Sequence, residues 1–233
     1  MGKPVKVTDQ NKAWNRKTAK RPVAVRPERR RFLIVSEGTA TEPIYFKSLE
    51  KALPQGTVQV ETCGTGHSEL SLVKEIKRIR KDKEEELAVT FDEVWAVFDK
   101  DSILRDRFDN AIHSCSSPRK GYGVAWSNEC FELWYLLHFK DQKTDIGRKA
   151  IFKALAKEFG VPGYETLKGD AGRAIHEGMA KHENQATAVV RAKKLYVEWN
   201  GPKALRTPPS QQNPCTAVFL LVEKLLACRQ QVK

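Results

Sequence analysis

VWAVFDKDS (residues 94–102) is an apolar run that stops on two aspartates, Asp99 and Asp101, with Lys100 between them. The fuller run EVWAVFD (93–99) is apolar on both faces, the pattern of a central strand in a parallel sheet. A buried strand that ends on two negative charges has two readings. Asp-x-Asp can end the strand and cap the helix expected around 103–113, with Asp101 or Ser102 as the capping residue. Alternatively the pair shares a divalent cation, because alternate side chains of an extended chain point the same way while Lys100 points elsewhere.

Working outward, strands and helices alternate. FLIVS (32–36) is a short apolar strand, and PIYFKSLEKAL (43–53) has helical spacing with Pro43 suited to a first turn. TVQVETC (57–63) alternates as a strand should, and SELSLVKEIKRIRKDKEEEL (68–87) turns Leu70, Leu72, Val73, Ile76 and Ile79 inward along an amphipathic helix. Beyond the decisive run come a strand, GYGVAWS (121–127), and a helix, ECFELWYLLHF (129–139). This βα alternation predicts an α/β fold with a parallel sheet flanked by helices. After residue 140 strand signals vanish, and 148–159, 184–199 and 215–230 read as helices. The expected organisation is a flexible basic arm over 1–31, an α/β core over 32–140 and a helical extension over 141–233.

The chain has 233 residues and a formal net charge of +12, unevenly spread. Residues 1–31 hold eleven Lys/Arg, among them Arg26, Arg29, Arg30 and Arg31, against Asp9 and Glu28. Such an arm, broken by prolines, buries too little apolar surface to fold alone. It reads as a phosphate-binding segment for nucleic acid or as a solubilising terminus. No stretch approaches the roughly 20 apolar residues of a membrane span, so no membrane partner is expected. Five cysteines without a CxxC pair read as thiols of a reducing, cytoplasmic compartment rather than a disulfide framework or a zinc site.

In parallel α/β sheets, function collects where strands end. The first strand ends at Glu37, followed by Thr41 and Glu42, and the third ends at Asp99 and Asp101. The fourth ends at Ser127, with Glu129 and Glu132 just beyond. Carboxylates brought together repel and raise one another's pKa, unless a hard cation such as Mg²⁺ or Mn²⁺ reverses the sign. Each also has a plain reading, as a turn residue, a cap or a solvated helix position. Tyr45 and Tyr135 fall on apolar helix faces and are expected in the core. CGTGHSEL (63–70) reads as a strand-to-helix turn, with His67 available to a phosphate. NPCT (213–216) reads as a helix start, with Asn213 or Thr216 as cap.

The Glu-Gly strand end, the Asp-x-Asp strand end and the βα alternation between them resemble the Toprim domain of topoisomerases, primases and OLD (overcoming-lysogenization-defect) nucleases. FLIVSEGTATEPIYFKSL, VWAVFDKDS, WSNECFELWYLLHF and NPCTAVFLLVEKLL more closely resemble the RloB family, from residue 32 to about 226. The resemblance implies Mg²⁺- or Mn²⁺-dependent phosphodiester hydrolysis in anti-phage defence, often beside an ATPase of the ABC or OLD type. On that pattern Glu37 matches the general base or metal ligand, and Asp99 and Asp101 match the metal-binding pair. Glu42 matches the second acidic residue of the first motif, and Ser127 with Glu132 a later metal-supporting motif. Glu129 stands where the pattern expects proline, which leaves open whether it or Glu132 faces the metal. A non-catalytic nucleic-acid-binding or partner-binding module on the same fold is the alternative. A homo-oligomer is compatible with either.

Overall fold

A computed structural model describes residues 29–66, 69–116, 121–167, 169–202 and 206–228. The elements run β1 (Arg30–Ser36), α1 (Thr41–Ala52), β2 (Val58–Gly64), α2 (Glu69–Leu87), β3 (Glu93–Asp99), α3 (Arg105–Ser116), β4 (Gly123–Asn128) and α4 (Glu132–Phe139). They continue with α5 (Arg148–Phe159), α6 (Gly169–Ala180), α7 (Gln185–Asn200), β5 (Cys215–Thr216) and α8 (Val218–Ala227). The strands form one sheet in the order β2-β1-β3-β4-β5. β1 to β4 pair parallel, and β5 pairs antiparallel with β4.

The apolar runs are explained by burial on both faces. Phe32 and Ile34 of β1 join Trp95 and Val97 of β3 in one core layer, with Tyr45, Phe46 and Leu49 of α1 and most of α4. Leu33 and Val35 join Val94, Ala96 and Phe98 in the other layer, against Leu72, Val73 and Ile76 of α2 and Phe108 and Ala111 of α3. Period-two alternation thus sends successive side chains into two different cores. Each fully buried Val, Leu, Ile or Phe contributes about 1.5–3 kcal/mol. Among the described residues no helix is long and apolar enough to cross a membrane, and all five cysteines are free thiols.

Two sequence expectations need correction, and the helical extension takes its place in the cores. The segment beyond residue 140 is not strandless, because Cys215 and Thr216 extend the sheet through pairs with Asn128 and Ser127. The helices beyond 140 share the cores of the sheet, with Leu155, Ala188, Val218 and Leu221 all in the first layer. The basic arm also ends earlier than residue 31. Arg30 and Arg31 are strand residues, paired in register with Val58 and Gln59. The arm itself, with Arg26, lies outside the described residues, as does His67.

Gly123 marks the tightest close approach in the sheet. A Cβ there would lie 2.3 Å from Trp95 Cδ2, and Trp95 is a core side chain that cannot yield. Gly123→Ala is therefore expected to cost about 1–3 kcal/mol as an overpacking change. A urea melt should show a lower midpoint with an unchanged slope; an unchanged midpoint would contradict this packing.

Candidate functional site

The site is assembled at the carboxyl ends of β1 and β3 and the first turns of α1 and α4. After β1, the Glu37 N–H donates to Val97 O and the Glu37 carbonyl accepts from Gly66 N–H, both at 3.0 Å. Glu37 is thereby pinned between β3 and the loop after β2. The turn that follows leaves little room for a side chain at two places. A Cβ on Gly38 would sit 2.1 Å from Glu42 Oε2, and one on Gly64 would sit 2.6 Å from Gly38 O and from Thr39 Cα. Those glycines let the Glu42 carboxylate fold back over the turn, where Glu42 is 5% exposed.

β3 delivers the aspartates. Asp99 Oδ2 accepts from Phe131 N–H at 3.0 Å, while Asp99 Oδ1 is buried with no hydrogen-bond partner. Glu42 Oε2 is buried and unpartnered in the same way. Asp101 is not the next outward position of an extended strand, as alternation suggests. Its φ is 34°, a left-handed conformation that aspartate tolerates better than most residues. Lys100 N–H donates to Ser127 O and Asp101 N–H to Glu129 O, each at 2.8 Å, so the turn is tied to the end of β4. The Asp101 carboxylate pairs with the guanidinium of Arg148, the first residue of α5.

Glu37, Glu42, Asp99, Asp101, Glu132 and Arg148, with the 38–41 turn, line one open cleft of about 300 Å³. Burial pushes Glu42 up to about 7, and the charges of Glu132 and Glu37 push the same way. Burial also holds Asp99 well above the ordinary carboxylate range, helped by repulsion from Glu42 and Glu132. Glu132 is raised, mainly by burial. Among the described residues no group of three or more His, Cys, Asp or Glu side chains is gathered so as to hold a metal ion. The partners account for that spread: Asp99 turns one oxygen to a backbone N–H and Asp101 turns to an arginine. The donors are nonetheless all hard oxygens, and two of them lack any partner. Taking a buried carboxylate oxygen out of water without a partner is costly, and a divalent cation is the ligand such oxygens suit.

A family model described as RloB-like protein matches residues 32–225, from β1 into α8. The chain belongs to the RloB-like family. No curated protein and no solved structure matches it. Every acidic residue of the cleft in this RloB-like chain lies inside the matched span.

Of the residues anticipated from sequence, Glu37, Glu42, Asp99, Asp101 and Glu132 meet in the cleft. Glu129 does not line it; its Oε2 accepts the Arg148 N–H at 3.1 Å and so caps α5. Ser127 is fully buried in β4, and its hydroxyl bonds to Thr216 Oγ1 at 3.0 Å, holding the edge strand. The arginines grouped with the arm serve the fold at the opposite end of β1. Arg29 Nε donates to Val58 O at 2.9 Å, Arg30 pairs with Glu93 at 2.6 Å, and Arg31 N–H donates to Asp92 Oδ2 at 2.7 Å. Arg148 was not anticipated. Nothing in the local sequence RKAIFKAL (148–155) marks its first residue, 47 positions from Asp101, as a partner of the acidic rim. Tyr45 and Tyr135 are fully buried core residues, as expected.

Proposed function

We propose that this RloB-like chain is a Mg²⁺- or Mn²⁺-dependent nuclease of Toprim type that hydrolyses phosphodiester bonds in nucleic acid. The supporting observation is the pair of buried, unpartnered carboxylate oxygens, Glu42 Oε2 and Asp99 Oδ1, in a cleft lined by five carboxylates. A fold gains nothing from that arrangement by itself, since each buried charge is destabilising and each worsens the others. A divalent ion would be held by Glu42 and Asp99, joined by Asp101, and would supply Lewis-acid stabilisation of the charge that develops on the phosphate. Glu37, at the strand end, is the residue we assign to take a proton from the attacking water. Glu132, from the first turn of α4, would complete the acidic wall. A role in anti-phage defence, with an ATPase partner of the ABC or OLD type, belongs to the same reading and rests on the family resemblance.

Gly38 supports the Glu42 carboxylate in this scheme. Gly38→Ala drives a methyl into Glu42 Oε2, and the flexible carboxylate yields before the backbone does. The expected result is a stability change within about 1 kcal/mol and a loss of roughly 10- to 100-fold in Mn²⁺ affinity, the usual cost of disturbing what orients a ligand. Calorimetric titration with Mn²⁺ and a thermal melt decide it, and unaltered affinity would remove Glu42 from the metal set.

The reading as a whole is tested with tRNA, single-stranded RNA and single- and double-stranded DNA, each with Mg²⁺ or Mn²⁺. Wild type should cut at least one of them, and folded Glu37→Gln and Asp99→Asn should cut none. Absence of both cleavage and metal binding in wild type would instead favour a binding module.

A further inference from the structure

Among the described side chains that line the acidic cleft, Arg148 is the one cation, and the scheme above gives it no task. Its position is fixed by the main chain, through the 3.1 Å bond from its N–H to Glu129 Oε2. Its guanidinium carbon stands 5.3 Å from the ring centroid of Phe152, one helical turn on, a contact that does not depend on the acidic residues. Only the tip of the side chain is committed to the cleft, through the ion pair with Asp101. Both partners are open to water, the Arg148 side chain 42% and the Asp101 side chain 44% exposed. Pairs this exposed contribute little to stability and are readily exchanged.

Two electrostatic conflicts meet at that pair. A divalent cation entering the cleft gains from every free carboxylate, but Asp101 is neutralised and a positive guanidinium stands beside it. A nucleic-acid phosphate entering the same cleft is repelled by five carboxylates unless a cation receives it. One movement resolves both conflicts. If the guanidinium leaves Asp101 and takes two oxygens of a phosphate, the phosphate gains the bidentate contact that arginine is shaped to give. Asp101 is then free to join Glu42 and Asp99. The main-chain anchor keeps the base of Arg148 in place while its tip moves.

We propose that Arg148 is a phosphodiester-binding residue stored on Asp101, and that its transfer to the nucleic-acid backbone releases Asp101 to the divalent ion. The proposal rests on the nuclease reading for its substrate, and it makes metal and nucleic acid bind cooperatively, each strengthening the other by the same factor. It also makes an unusual demand on one substitution. Arg148→Gln should bind Mn²⁺ more tightly than wild type, because Asp101 is freed and a neighbouring positive charge is gone. The same variant should cleave less, because the phosphate has lost its cation.

The experiment is a calorimetric Mn²⁺ titration of wild type, Arg148→Gln and Arg148→Lys in the absence of nucleic acid. It is followed by cleavage kinetics on the nucleic acid that wild type cuts best. Arg148→Gln is expected to gain roughly 3- to 10-fold in Mn²⁺ affinity and to lose roughly 100-fold in kcat/KM. Arg148→Lys, which keeps the charge but not the fork, should stay near wild type in Mn²⁺ affinity and fall between the two in cleavage. Equal or weaker Mn²⁺ binding by Arg148→Gln overturns the proposal, and so does cleavage at the wild-type rate. The two failures are separable: if neither wild type nor Arg148→Gln binds Mn²⁺, the nuclease reading falls and takes this one with it. If both bind Mn²⁺ with equal affinity, only the release from Arg148 is lost.

Discussion

Asp99→Asn is expected to abolish divalent-ion-dependent cleavage while raising the melting temperature of the metal-free protein. The activity loss should reach about 10³-fold or more, matching the several kcal/mol that a correctly held ion contributes to phosphoryl chemistry. The stability gain follows from the carboxylate's surroundings. Asp99 is held well above its ordinary pKa by burial first and then by Glu42 and Glu132. Ionising it at pH 8 therefore costs the folded state free energy that the unfolded state does not lose. Asparagine removes the charge but keeps an oxygen to accept the Phe131 N–H. A higher melting temperature at pH 8 is therefore expected. The same exchange at Asp92 should behave oppositely. Asp92 Oδ2 accepts the Arg31 N–H at 2.7 Å, at the far end of the sheet, so Asp92→Asn should leave cleavage intact and stability equal or slightly lower. A lower melting temperature for Asp99→Asn would mean that the carboxylate serves the fold and not a ligand. Trading stability for function in this way is what a site kept for chemistry should show.

What could be read in the sequence divides along physical lines. The strands buried on both faces announce themselves: β3 occupies residues 93–99 as expected, because double burial leaves no polar positions to blur a run. α5 covers 148–159 as expected, set off by Gly147 before it and by Gly160, at φ 65°, after it. Elements held by tertiary contact alone were invisible. β5 is two residues long and has no periodicity to detect, and it exists through its pairing with β4 and the Ser127–Thr216 hydroxyl contact. α6 carries Gly169, Gly172 and Gly178, each of which weakens a helical signal, although Met179 and Ala180 are buried in the core. The cleft divides similarly. Its carboxylates were legible because acidic residues at strand ends have a positional meaning, whereas Arg148 acquires its role by chain reversal across 47 residues. Arg30 and Arg31 belong to β1 rather than to the segment before it; a run of charge reads the same in a loose arm and in a strand. Glu93, which pairs with Arg30, lies 63 residues away.

The second large effect is a pH-dependent stability gap between wild type and Glu42→Gln. Glu42 is pushed from 4.5 in the unfolded reference up to about 7, chiefly by burial. Below about pH 4.5 the carboxyl is protonated in both states and its burial costs nothing extra. As pH rises through 7 the unfolded chain is ionised but the folded one resists, so stability is lost across that window and stays lost above it. A shift of this size corresponds to about 3 kcal/mol. Two histidines titrate the opposite way. His138 and His176 are both lowered to about 4 by burial, so the stability tied to their neutral forms is present above about 6.5 and lost as pH falls towards 4. Wild type alone would therefore show a blurred optimum, and the difference between two variants is the clean quantity. Glu42→Gln should match wild type near pH 4.5 and exceed it by about 2–3 kcal/mol at pH 8, read from urea midpoints at each pH without added metal. Saturating Mn²⁺ should then close the gap from the other side, stabilising wild type at pH 8, stabilising it far less at pH 5, and leaving Glu42→Gln nearly unmoved. A gap independent of pH would mean that Glu42 ionises at the same pH in the folded and unfolded chains, so that burial does not raise it. Equal Mn²⁺ stabilisation of both proteins would place the ion away from Glu42. The two results together separate a carboxylate merely tolerated in the interior from one whose buried charge is kept for a cation.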